Sequence, residues 1–234
     1  MTASKVVPAT AAQETGGRIS FVARQPILTA DDKVFGYELL FRDGVEDYSR
    51  EVDSNSASRR TLDTSLQIGL ETLCDGRRGF VNCTRDVLLK DYMALLPSPL
   101  AVVEVLESVP PDDLVVAGLK RLKEAGYLIA LDDFITDDPR TPLTEMADIL
   151  KVDMQTSLEQ AKELVKKHGP WRCRMLAGKV ETREEFTAAK AAGFVYFQGY
   201  FFRRPEVLHA KEIPANRLNC LRLLRAVSQN WTRS

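Results

Sequence analysis

Short apolar runs alternate with helical spacing along most of the chain, and the alternation predicts its architecture. Runs at 18–28 and 34–41 are joined by the polar link TADDK, too short for a parallel crossover, so the two strands are expected to be antiparallel. Further runs at 79–82, 100–106, 128–131, 146–150, 172–177 and 194–197 predict strands buried on both faces. Between them, Leu62, Leu66, Leu70 and Leu73 recur at helical spacing over 54–73, and Gly76 follows as a stop. A short helix and connection is expected at 85–96. Ser108, Pro110, Pro111, Asp112 and Asp113 then open a helix with a cap, prolines in its first turn and acids at the positive end of its dipole. The segment 155–168 predicts a helix closed by Gly169 and Pro170, and Thr182 with Glu185 forms a capping box for a helix that ends at Gly193. Eight strands, the last six separated by helical patterns or connections, predict an α/β fold: a TIM-type (β/α)8 barrel with an antiparallel first strand.

Composition narrows the function classes. The chain has 234 residues, 44% apolar and 28% charged, with a net charge of −1, which suits one large core and gives no general pull towards nucleic acid or an anionic membrane. Cys74, Cys83, Cys173 and Cys220 show no CxxC spacing, so neither a zinc site nor a disulfide framework is expected. No apolar run approaches the ~20 residues of a membrane span, and the N-terminus lacks a signal-peptide stretch, so a cytoplasmic location is the expectation. Residues 1–17 are small and polar and are expected to be a disordered lead-in to a barrel domain spanning 18–208.

Polar residues recur at one end of nearly every strand: Glu38 in the second, Asn82 at the end of the third, Glu104 in the fourth, Asp132 and Asp133 after the fifth, Lys151 at the sixth, Glu181 past the seventh and Gln198 after the eighth. In a parallel barrel these ends share one rim, where ligands sit. Four strands delivering carboxylates to one rim repel one another unless cations neutralise them, and oxygen donors without His or Cys suit Mg²⁺ or Mn²⁺, with Ca²⁺ as a third candidate. Paired ions of this kind hydrolyse phosphodiesters. A structural ion pair between Lys151 and Asp132 or Asp133 accounts for that part of the pattern equally well.

Taken in order, Gln25-Pro26-Ile27, Glu38-Leu39-Leu40-Phe41-Arg42, Asn82, Glu104, Asp132-Asp133-Phe134, Lys151-Val152-Asp153, Val180-Glu181-Thr182 and Phe197-Gln198-Gly199-Tyr200 resemble the motifs of the EAL domain family. That family hydrolyses the bacterial messenger cyclic di-GMP, and the resemblance covers residues 18 to about 208. It implies the same barrel, with Glu38, Asn82, Glu104 and Asp132 holding one metal ion and Asp133 serving a second. It further implies that Lys151 positions water or phosphate as a catalytic group, that Glu181 and Gln198 support the site, and that Gln25 and Arg42 touch the nucleotide; Gln198 counts with these two among the substrate-binding residues. A homodimer contact is also implied.

Two departures from the family pattern bear on activity. The family's Ala-Glu-Gly-Val-Glu is here Ala177-Gly178-Lys179-Val180-Glu181, so Gly178 stands where a catalytic glutamate belongs. The family's glycine-containing loop after the paired Asp is here Phe134-Ile135-Thr136-Asp137-Asp138-Pro139, expected to be unable to adopt the glycine conformations. These departures predict a degenerate, non-catalytic cyclic di-GMP receptor or protein-interaction module, with an active Mg²⁺- or Mn²⁺-dependent phosphodiesterase as the alternative. Residues 209–234 are expected to be a helical extension with Leu218, Leu221, Leu224 and Val227 on one face. They resemble the connector that precedes an HDOD domain in divergent members, which implies a protein partner of that kind.

Overall fold

The computed structural model describes residues 19–42, 53–155, 157–169 and 173–211. The disordered lead-in expected at 1–17 and most of the expected C-terminal helix lie outside them.

The first two strands, β1 (Ile19–Thr29) and β2 (Val34–Arg42), form the expected antiparallel hairpin. Six parallel strands follow: β3 (Arg78–Cys83), β4 (Ala101–Val105), β5 (Leu128–Leu131), β6 (Ile149–Asp153), β7 (Arg174–Gly178) and β8 (Tyr196–Phe197). The neighbour order β2-β3-β4-β5-β6-β7-β8-β1, with β1 also paired to β2, closes the barrel. β1 alone among these runs against the others. A ninth strand, β9 (Glu206–Lys211), adds antiparallel to the first half of β1, on the edge that β8 occupies further along. The expected domain boundary at 208 therefore falls inside a strand, and the chain stays with the barrel to Lys211.

The expected helix over 54–73 is two helices, α1 (Ser54–Ile68) and α2 (Leu70–Leu73), because Gly69 at φ 88° turns the chain between them. After β3 come α3 (Arg85–Leu89) and a 3₁₀ turn at Tyr92–Leu95. Helix α4 (Asp113–Glu124) is capped by Asp112, whose carboxylate accepts from the backbone N–H of Leu114 and Val115, so the prolines precede the helix instead of lying within its first turn. The connection from β5 to β6 is a 3₁₀ turn at Thr141–Glu145. Helix α5 (Leu158–His168) starts at the Ser157 cap, and α6 (Arg183–Ala192) carries the expected capping box and ends on Gly193 in the left-handed region.

Two apolar layers hold the barrel. The larger lies between the strands and the surrounding helices and includes Leu62, Leu70, Leu73, Val81, Val103, Leu119, Leu164 and Phe197. The smaller fills the barrel interior with Ile27, Phe80, Val102, Ala130, Ile149, Leu176 and Tyr196. This second layer is the floor on which the site is built.

Candidate functional site

Successive side chains on a strand point to opposite faces, so the residue two positions beyond each interior residue also faces the interior. In the parallel strands that step leads from Phe80 to Asn82, Val102 to Glu104, Ala130 to Asp132, Ile149 to Lys151, Leu176 to Gly178 and Tyr196 to Gln198. In β1, which runs the other way, it leads back from Ile27 to Gln25, and Gln25 is in register with Glu38 of β2. Each barrel strand thus gives one position to a polar ring at the mouth, and only Gly178 gives no side chain.

Lys151 stands at the centre of the ring. Its Nζ lies 2.8 Å from Glu104 Oε1, 3.0 Å from Glu38 Oε2 and 3.1 Å from Asp132 Oδ1. Gln198 Nε2 donates to Glu38 Oε2 at 2.6 Å and to Gln25 Oε1 at 3.3 Å, and Gln25 Nε2 donates to the Arg203 carbonyl at 3.2 Å. Burial opposes the charge on Lys151, but Glu104, Glu38 and Asp132 together outweigh it and hold its pKa above the ordinary value. Burial pushes the Glu104 carboxyl well above the usual carboxylate range, with Glu38 and Asp132 adding to the effect and Lys151 opposing it.

A Cβ built on Gly178 would lie 3.6 Å from Cγ and Cε of Lys151, an ordinary contact distance. The missing side chain therefore faces the central lysine, and the backbone has room for one.

Outside the ring, Lys179 Nζ lies 2.6 Å from Asp153 Oδ2 and 3.4 Å from Asp133 Oδ2. Asp133 pairs with Lys179 in this outer group; burial and the neighbouring Asp132 raise its pKa, against Lys179 and Lys151. Glu181 is exposed on the rim, where Gln155 Nε2 donates to its Oε1 at 3.3 Å, so it is apart from the central cluster. The side chain of Arg42 lies outside the described residues.

Beneath the paired aspartates, the loop after β5 is held by Arg140, whose side chain is 1% exposed. Its Nε and Nη2 donate to the two oxygens of Asp138 at 3.0 and 2.7 Å, and further N–H groups reach the carbonyls of Val105 at 3.3 Å and Asp132 at 2.8 Å. The expectation that this loop cannot adopt glycine-like backbone is corrected at Asp137, which sits at φ 62°. A short polar side chain tolerates the left-handed region far better than a branched one, so aspartate can hold this backbone.

The cleft over the ring has a volume of about 330 Å³ and is lined by Gln25, Glu38, Asp132, Asp133, Lys151, Lys179, Glu181, Gln198 and Tyr200, among others. Three carboxylates against one ammonium leave the centre with a formal charge of −2. Asn82 Oδ1 and Glu104 Oε2, on register-paired residues of β3 and β4, are buried acceptors with no hydrogen-bond donor among the described residues. An oxygen-only set with surplus negative charge and two unfilled acceptors fits one hard divalent cation. Among the described residues no three acids, His or Cys are already grouped around an ion position; Glu38, Glu104 and Asp132 each pair with the Lys151 ammonium.

A closed barrel with one reversed strand and acids on its rim can be compared directly with solved folds. The EAL domain of DcpA from Mycobacterium smegmatis superposes with a TM-score of 0.64 at 18% identity, over 80% of this chain and 93% of that one. The fold is that of the EAL domain family. YkuI from Bacillus subtilis, a protein with an EAL domain solved with cyclic di-GMP and calcium, superposes with a TM-score of 0.61 at 22% identity, over 89% of this chain and 60% of that one. In sequence the chain is 36% identical over 216 residues to the cyclic di-GMP phosphodiesterase CdgJ of Vibrio cholerae, covering 90% of this chain and 50% of the relative. It spans about half the length of the curated relatives it matches. No family model matches the chain. Among the described residues no helix is long and apolar enough to cross a membrane.

Three side chains that matter here escaped sequence reasoning: Arg140, Asp138 and Lys179. The pairing of Asp138 with Arg140 at i,i+2 carries no periodic signal. Of the aromatic stretch near the C-terminal rim, Tyr196 and Phe197 are core, whereas Tyr200 is 57% exposed at the cleft. His168 is half-buried, its ring in a T-shaped contact with that of Phe134.

Proposed function

We propose that this EAL-type barrel is a receptor that binds cyclic di-GMP at the mouth, with one divalent cation, and releases it uncleaved. The observation that carries the reading is the incomplete ring: every barrel strand supplies a side chain except β7, where Gly178 stands beside Lys151. Glu38, Asn82, Glu104 and Asp132 would hold the ion, and the amides of Gln25 and Gln198 would order Glu38 and offer hydrogen bonds to the ligand. When bound, Mg²⁺, Mn²⁺ or Ca²⁺ supplies positive charge to a phosphate oxygen. Tyr200 presents an exposed ring on which a guanine base can stack. The cyclic di-GMP and calcium bound by YkuI and the activity named for CdgJ support the ligand class.

Without a carboxylate at Gly178, turnover is expected to be slow, since one positioned acid or base contributes about 10²–10⁴-fold in rate. The competing reading is an active Mg²⁺- or Mn²⁺-dependent phosphodiesterase, favoured by the convergence of Glu38, Glu104, Asp132 and Lys151. Calorimetric titration with cyclic di-GMP, with and without Mg²⁺, Mn²⁺ or Ca²⁺, followed by chromatography of the nucleotide, separates the readings. Ion-dependent binding with the ligand recovered intact supports the receptor. Cleavage at about 1 s⁻¹ or faster, the ordinary enzyme range, refutes it. No binding under any condition also refutes it and leaves a protein-interaction module, with a protein partner such as an HDOD domain.

A further inference from the structure

The outer acid group is smaller than the ring: two carboxylates face its ammonium, whereas three carboxylates and the two unfilled acceptors surround Lys151. Asp133 follows β5 and Asp153 ends β6, and the ammonium between them comes from Lys179, just past β7. Two of these three residues have left-handed backbone: Asp133 at φ 42° and Lys179 at φ 54°. Aspartate tolerates that region, but a long side chain gains nothing locally from it, and such strain persists only where the surroundings over-determine it. What the conformation achieves at Lys179 is direction, because it turns the side chain across the ends of three strands onto two carboxylates.

We infer that Lys179 is a built-in cation that takes the place of a divalent ion between Asp133 and Asp153. The side chain of Lys179 is 51% exposed, so the ion pairs themselves add little stability. Their consequence is occupancy. A tethered ammonium competes at the high effective concentration of an intramolecular group, whereas a free ion must be drawn from solution. Lys179 also lines the cleft beside Asp133, so the group it neutralises faces the same ligand as the ring. The inference rests on the proposed one-ion reading and sharpens it, by stating why the outer acids do not recruit a second ion.

The test counts ions. Titration of the full chain with Mn²⁺ alone, read by calorimetry and by loss of the free-Mn²⁺ electron paramagnetic resonance signal, is carried out on the wild type, Lys179→Gly and Lys179→Met. The methionine variant removes charge and keeps the strained backbone, and the glycine variant removes both. Both variants are expected to bind one Mn²⁺ more per chain than the wild type, and adding Asp153→Asn should abolish the extra ion. Equal stoichiometry in all three proteins overturns the inference, as does an extra ion that persists with Asp153→Asn. Because the readout is a difference, it stands apart from the central ion, which is lost by Glu104→Gln in either background if the ring holds it.

Discussion

Replacing Arg140 with alanine should destabilise the barrel strongly, although its side chain does not line the cleft. Its side chain is 1% exposed and that of Asp138 is 3% exposed, so the substitution leaves a buried carboxylate without its cation. It also strips donors from the carbonyls of Val105 and Asp132. Removing one partner of a buried, hydrogen-bonded ion pair costs about 3–5 kcal/mol. At about 2–4 °C per kcal/mol for a chain of this size, the melting temperature should fall by about 6–20 °C. Urea unfolding followed by circular dichroism measures the loss directly. The double variant Arg140→Met with Asp138→Leu removes both charges, so it should be more stable than Arg140→Ala alone. A loss below about 1 kcal/mol for Arg140→Ala, or a double variant as unstable as the sum of its parts, would refute the view that this pair clamps the loop. The pH dependence has a definite sign. Burial works to raise the Asp138 pKa, but its bonds with Arg140 win and hold it below the usual value. The stabilisation is therefore complete above the ordinary carboxylate range and is lost as pH falls through the lowered folded-state pKa. In Arg140→Met, that acid-limb loss should be absent from a pH series of unfolding curves.

Glu104→Gln should weaken Mn²⁺ binding at least tenfold by calorimetry, because it removes charge from the most enclosed carboxylate of the ring; unchanged affinity would place the ion elsewhere. Gly178→Glu adds a fourth acid around Lys151, so its melting temperature should fall below that of the wild type in EDTA and recover most of the difference in excess Mg²⁺ or Mn²⁺, as ligand linkage requires. Gly199→Ala should abolish soluble expression or lower stability by more than about 3 kcal/mol, since the new Cβ would fall 2.0 Å from the Val180 carbonyl oxygen. Normal folding of that variant would show that the turn after β8 can move.

The ring was legible in the sequence because buried strands tolerate no unexplained charge, so Glu38 and Glu104 stood out within apolar runs and Asp132 and Lys151 at the ends of theirs. Capping chemistry was equally legible at Thr182 and Glu185, where two side chains within one turn decide a helix start. What failed to show was long-range or geometric. β9 has no apolar alternation of its own and exists because the first half of β1 offers an unpaired edge. The break at Gly69 depends on a backbone angle that helical spacing does not register. Asp138 and Arg140 gave no signal as a pair, since composition cannot tell a solvated pair from one folded beneath a loop. The separation of Asp133 from Asp132 was hidden for the same reason: adjacent residues on a turning backbone face different partners.

The barrel interior behaves as a code with a parity rule. Each strand shows the mouth one residue in every two, in step with the apolar floor beneath it, so the eight contributions are set independently of one another. A substitution rewrites one letter: at Gly178 a single side chain changes the charge beside Lys151 while β2 to β6 keep theirs. An insertion or deletion of one residue within a strand does something different, because it shifts the phase. In β4 a one-residue slip would carry Glu104 to the helix-facing side and bring Val103 or Val105 to the lumen. Variation in this mouth is therefore confined to substitutions within strands and to length changes between them, and the chain can exchange its chemistry letter by letter without altering its fold.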